Sequence, residues 1–337
     1  MRPPKIETLL LTSITLALVG CGDRERPANP PGGGSSGSGV TQTTVATTTS
    51  GGGTSTGSGG GGADGPRPDD KDLPAVYGTC PTLASGRVTF DVSGLVPRDA
   101  ELRFSSKVES LDGPLVILWH GEGQTPKGAL DELLGSKLMT KIMAAGGVIA
   151  APYRDTQAGP RVWYSSEGDP ATDDDFVILD QIVACTRTVL GIDTRQIHVV
   201  GYQRGGFQAV HSAVLRSGYV ASAVIHSGGL AGTWTEQRSG LGYPFMVVHG
   251  GEQLDITDQS YGAASGALAK RAFEGASPFT VEHFTVLCDH GNGPTVAFDA
   301  LPGTYEFMMD TPFGTMTSPY GNDLADAYPA YCEGKSP

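Results

Sequence analysis

Three things are scarce in this 337-residue chain, and each excludes something. No apolar run reaches the roughly 18–20 residues that a membrane-spanning helix needs. Basic residues are few: 23 Lys and Arg stand against 36 Asp and Glu, for a formal charge of −13. That balance argues against nucleic acid as a partner and against a polybasic membrane patch. From Pro31 to Ala63 there is no charged residue at all, only Gly, Ser, Thr and a few others. Such a segment has too little apolar surface to offset chain entropy and is expected to stay disordered.

What stands before that stretch is an export signal. Arg2 and Lys5 form a basic start, and Leu9 to Val19 is a short apolar run. The end of the segment, Leu18-Val19-Gly20-Cys21, resembles a bacterial lipobox. The resemblance implies removal of residues 1–20 and a lipid on Cys21; the competing reading is an ordinary signal peptide with an incidental cysteine. Gly22 follows Cys21 with no aspartate to favour inner-membrane retention, so an outer membrane is expected where the cell has two. Residues 21–72 then act as a tether, and about fifty flexible residues reach about 40 Å.

From about Leu73 to the C-terminus the composition is that of a folded domain of ordinary size for one α/β unit. Val88 to Val92 and Glu101 to Ser105 alternate like a hairpin or edge strands. Pro114 to Trp119 is a continuous apolar run, the pattern of a strand covered on both faces. Ala129 to Ala144 has helical spacing, and Val148 to Ala151 is the next strand. Thr172-Asp173-Asp174-Asp175 opens a helix to about Leu190; Thr172 and Asp175 approximate a capping box, and the acids complement the helix dipole. A metal site is the sharper reading of three aspartates, but successive helical residues point different ways, and no metal is expected. Further strands are expected at Ile197, Ala221 to His226, Tyr243 to His249 and Phe279 to Cys288. Helices are expected after Gln203, at Ser260 to Phe273 and within Ala300 to Met309. Strands alternating with helices imply an α/β fold with a mostly parallel sheet and helices on both faces.

The chain is organised around Ile197 to Gly206. A strand enters a glycine-pinched turn and leaves as a helix, the setting of a G-x-S-x-G nucleophile elbow. Here the frame is Gly201-Tyr202-Gln203-Arg204-Gly205, so a carboxamide occupies the position of the nucleophile. His120-Gly121 follows the Val116 strand, Gly191 to Ile197 leads into the elbow strand, His249-Gly250-Gly251 follows the Tyr243 strand, and Cys288-Asp289-His290-Gly291 opens a later loop. In that order and spacing these segments resemble the α/β-hydrolase superfamily. Within it, the likeness is to secreted esterases of the polyhydroxybutyrate-depolymerase and feruloyl-esterase type. The resemblance covers roughly Leu73 onward and is clearest from Val116.

That resemblance implies a triad in the order Ser, Asp, His. The nucleophile position is Gln203. The acid is expected at Asp255, which reads equally well as a loop carboxylate or the cap of the Ser260 helix. The base should end a His-Gly-x-Gly-His loop, yet the chain has His290-Gly291-Asn292-Gly293-Pro294, placing Pro294 there. Proline has no proton acceptor. His290 is the possible substitute base, though its place in the family is that of a structural loop residue. Ser212, Ser227, His198 and His226 are read as ordinary serines and satisfied core histidines. The resemblance places an oxyanion region at His120, Gly121 and the Arg204 backbone N–H, with Gly201 and Gly205 allowing the close strand–helix approach.

Four cysteines remain after Cys21. Export and an even count suggest two disulfides, with three connectivities possible. The pairing favoured is Cys80 with Cys332, stapling the domain ends, and Cys185 with Cys288. Three functions compete: an anchored hydrolase-like domain that binds without cleaving, an ester hydrolase of altered chemistry, and a structural envelope lipoprotein. No cofactor is expected. The ligand classes left open are a small ester, a carboxylate and a saccharide.

Overall fold

The computed structural model describes residues 66–335 apart from 93, 156–162, 164–171, 229–243, 252–253, 256–284 and 321–322. The export signal, Cys21, the tether up to residue 65 and the Ser260 helix lie outside the described residues.

Nine strands form one sheet among the described residues, in the order β1-β2-β4-β3-β5-β6-β7-β8-β9. They are β1 (Gly86–Phe90), β2 (Arg98–Arg103), β3 (Leu115–Trp119), β4 (Val148–Pro152), β5 (Ile197–Tyr202), β6 (Ser222–His226), β7 (Phe245–His249), β8 (Thr285–Asp289) and β9 (Cys332–Lys335). From β4 to β8 every neighbouring pair is parallel; β1, β2 and β9 are antiparallel to their neighbours. The helices are α1 (Pro126–Ala129), α2 (Gly135–Ala144), α3 (Thr172–Leu190), α4 (Arg204–Leu215) and α5 (Leu301–Asp310).

Every residue of β3, β5, β6 and β7 is buried, which is why these segments are mostly apolar and β3 is an unbroken apolar run. Alternate side chains serve two cores. Leu115, Ile117 and Trp119 face α3 and α4, while Val116 and Leu118 face α1, α2 and α5. No helix among the described residues is long and apolar enough to cross a membrane.

Two expectations need correction, and one residue has a role beyond its expected one. The helix expected over Ala129 to Ala144 is not continuous: a π turn at Leu130–Leu134 and Gly135 at φ 61° separate α1 from α2. The apolar spacing persists across the break, so the period alone does not show it. Asp175, in the first turn of α3, is fully buried and ion-paired with Arg98 on β2, a pairing the sequence did not show. The disulfides are Cys80–Cys185 and Cys288–Cys332, not the pairing favoured from sequence. Cys288 and Cys332 are register partners in the antiparallel β8–β9 pair, so β9 brings the C-terminal cysteine to the sheet edge rather than to Cys80.

Candidate functional site at the elbow

The strand order reverses between β3 and β5, and in such sheets the crevice for ligands opens at the carboxyl ends of those strands. The loop after β3 begins with His120-Gly121, and β5 runs directly into Gln203. Gln203 adopts φ 51°, ψ −119°, a conformation that L residues rarely hold. Its N–H donates to the His226 carbonyl oxygen at 2.9 Å, while its own carbonyl accepts from Gly206 at 2.8 Å. The turn is sharp because the glycines let it be. A Cβ on Gly205 would overlap the Trp119 carbonyl, and one on Gly201 would overlap the Gly205 carbonyl.

Several described side chains around the turn bond to one another. The Gln203 amide nitrogen donates to the Tyr202 hydroxyl at 3.3 Å, and that hydroxyl donates to the Pro294 carbonyl oxygen at 2.7 Å. Burial, then the charges of Glu132 and Asp255, push the Tyr202 hydroxyl up to about 12, so it stays a donor. The Gly121 N–H donates to Gln124 Oε1 at 2.7 Å. A Cβ on Gly121 would lie 3.1 Å from Gln203 Oε1 and 2.9 Å from the Tyr202 ring, so Gly121 abuts the elbow. Arg204 opens α4 and pairs with Glu122 at 3.1 Å. His120 is buried, packs against Trp163 with ring centroids 4.8 Å apart and planes inclined at 60°, and is held below its usual pKa by burial.

Asp255 is fully buried and accepts from the Gly250 N–H at 3.0 Å. The loops after β7 and β8 are pressed together: the Gly293 N–H donates to the Gly250 carbonyl at 2.7 Å, and a Cβ on Gly250 would overlap Gly293. Pro294 therefore reaches the elbow, through Tyr202. His290 is tied to the end of β7. Its N–H donates to the His249 carbonyl at 2.9 Å, and its side chain lines a cavity of about 560 Å³ with Asn292, Phe298, Asp299 and Tyr331. Among the described residues no hydrogen bond joins His290 to Gln203 or Asp255.

Two of the other candidates behave differently from one another. His198 is a satisfied core histidine, bonded to Ser222 Oγ and Gln196 Oε1 at 2.8 Å each. His226 corrects the expectation: it is fully buried and neither ring nitrogen has a hydrogen-bond partner among the described residues. Burial first, then the neighbouring His290, push it down to about 4. Ser212 donates to the Gln208 carbonyl at 2.7 Å within its own helix. Ser227 is buried at φ 50°, which with Gln203 makes two non-glycine residues of positive φ at adjacent strand ends. Tyr202 and Gln124 were invisible to motif reading, since one fills a variable position of the elbow and the other lies in a turn.

No protein-family model matches the chain, and no curated protein matches it in sequence. Solved structures do. Native sOPH superposes with a TM-score of 0.56 at 17% identity, over 78% of this chain and 97% of that one. Native pOPH gives 0.55 at 15% identity, over 77% and 97%. The chain has the α/β-hydrolase fold. An S-formylglutathione hydrolase from Agrobacterium tumefaciens is also similar, at 0.50 and 12% identity over 68% of this chain and 97% of that chain. In this fold the turn between β5 and α4 displays Gln203. Among the described residues no group of three His, Cys, Asp or Glu side chains is placed to hold a metal.

Proposed function

We propose that this protein is an exported lipoprotein, anchored through Cys21, whose esterase- or depolymerase-like hydrolase domain no longer performs serine hydrolysis and serves in binding or structure. The observation that carries this reading is Gln203 at the elbow, in the backbone conformation of a nucleophile, with Pro294 rather than a histidine linked to it through Tyr202. A carboxamide is not deprotonated near neutral pH and does not attack an ester. A triad depends on a base to take the nucleophile's proton, and a prolyl carbonyl does not do so. Loss of a triad nucleophile costs about 10⁶ in turnover in well-studied cases.

Fluorophosphonate labelling and a p-nitrophenyl butyrate assay test the loss of activity. Wild type is expected to show no labelling and only background turnover; robust turnover abolished by Gln203→Ala overturns the reading. Anchoring is tested by metabolic labelling with a palmitate analogue, which Cys21→Ser is expected to abolish.

A further inference from the structure

The break between α1 and α2 borders a cavity of about 510 Å³, within the roughly 300–1,000 Å³ of small-molecule sites. The start of α2 lines one side, and the stretch from Phe298 into α5 lines the other. No residue of the elbow, of the turn after β3 or of the loop with Pro294 takes part. A π turn that interrupts a helix is frequent at functional sites, and this one ends at Leu134, which lines the cavity. Gly135 follows at φ 61°. A Cβ on it would meet, outside its own helix, nothing nearer than Leu301 at 3.9 Å, so the cavity reaches the backbone there. Leu134, Leu138, Leu301 and Pro302 supply apolar wall, and Phe298 is left 64% exposed beside them.

Two ammonium groups belong to the same cavity. Lys137 and Lys141 are four residues apart on α2 and therefore share one of its faces. Lys141 lies 4.7 Å from the centre of the Tyr305 ring and 3.6 Å from Glu306 Oε1. Lys137 has no ion pair among the described residues, so Glu306 offsets only one of the two charges. Apolar walls thus meet one uncompensated positive charge, in a chain whose net charge is −13. We infer that this cavity is a second binding site, for a medium-chain carboxylate. The alkyl chain lies against Leu134, Leu138 and Leu301, and the carboxylate pairs with Lys137. A dianion would exceed that single charge, and an uncharged chain would leave it unused. The site stands apart from the elbow and holds whether or not the elbow hydrolyses esters.

Calorimetric titration of the full chain with decanoate and octanoate, below their micelle-forming concentrations, tests this. One decanoate should bind saturably, and octanoate about fifteenfold more weakly, at roughly fourfold per methylene. Lys137→Gln should weaken octanoate about fivefold and leave octan-1-ol unchanged. A photoreactive decanoate analogue should label residues 134–141 or 298–305. Absence of saturable decanoate binding, or label confined to other segments, overturns the inference. So does a folded Lys137→Gln variant that holds octanoate as tightly as wild type does. Binding of anionic vesicles in place of decanoate also overturns it. Ester turnover at the elbow would count against the proposed function alone and leaves these titrations readable.

Discussion

The Tyr202 hydroxyl donates to the Pro294 carbonyl oxygen at 2.7 Å and so ties the elbow to the loop after β8, ninety-two residues away in sequence. The bridge is made by a tyrosine side chain and a prolyl main chain.

Tyr202→Phe removes that bridge and leaves the Pro294 carbonyl without its donor. The expected cost is about 1–2 kcal/mol, seen as a lower urea midpoint with an unchanged slope. An unaltered midpoint would show that the two loops do not depend on this bond.

Gly205→Ala should be among the most damaging single-methyl changes in the chain. The added Cβ overlaps the Trp119 and His120 carbonyls, which are backbone atoms of a central strand and its exit. Overpacking against an immovable neighbour is expected to cost about 3 kcal/mol or more. Soluble yield and thermal unfolding measure it, with Gly123→Ala as a comparison at a site where nothing lies within 4 Å of the new atom but φ is 75°.

Asp175→Asn leaves Arg98 buried without its counter-charge. Arg98 is 5% exposed and donates to Asp175 from both terminal nitrogens, one at 2.5 Å. Breaking one side of a buried pair costs about 3–5 kcal/mol, whereas an exposed pair such as Lys127–Asp131 should cost under about 1 kcal/mol when broken. Chemical denaturation of Asp175→Asn beside Asp131→Asn separates the two.

Acid should destabilise the domain from about pH 6.5 downward. Burial pushes His198 down to about 3 and His226 down to about 4. Both are therefore neutral when folded over a range in which the unfolded chain, with an ordinary value near 6.5, already binds a proton. Stability rises with pH wherever the unfolded state binds more protons, so each histidine's contribution is full above about pH 6.5 and shrinks as pH falls toward the folded value. His198→Gln should flatten the urea midpoint between pH 6.5 and 4, by a slope of up to about 1.4 kcal/mol per pH unit.

Non-reducing peptide mapping should recover Cys80 with Cys185 and Cys288 with Cys332. The first pair closes 105 residues, so Cys80→Ser with Cys185→Ser should lower stability by about 4 kcal/mol, and the 44-residue loop somewhat less.

Much of the architecture was legible because burial on both faces leaves no choice of residue. The runs at Leu115 and Phe245 had to be apolar throughout, and Gly201 and Gly205 had to lack side chains for β5 and α4 to approach. The residue displayed at the elbow was legible for the same reason: the turn fixes which position carries the side chain, and that residue is Gln203. The role of Asp175 was not, since one acid among three shows its direction only once β2 lies beside α3. Nor was the break after Ala129, where a π turn keeps the apolar period intact.

By itself, then, the sequence determined the α/β order, the elbow and the residue displayed there, because these follow from local periodicity and from glycine. Which cysteines pair, that His226 is buried with no hydrogen-bond partner for its ring among the described residues, and that Gln124 bonds to Gly121 were decided only in three dimensions. Each depends on which strand end lies beside which loop, and that placement comes from packing the two cores together rather than from any single segment.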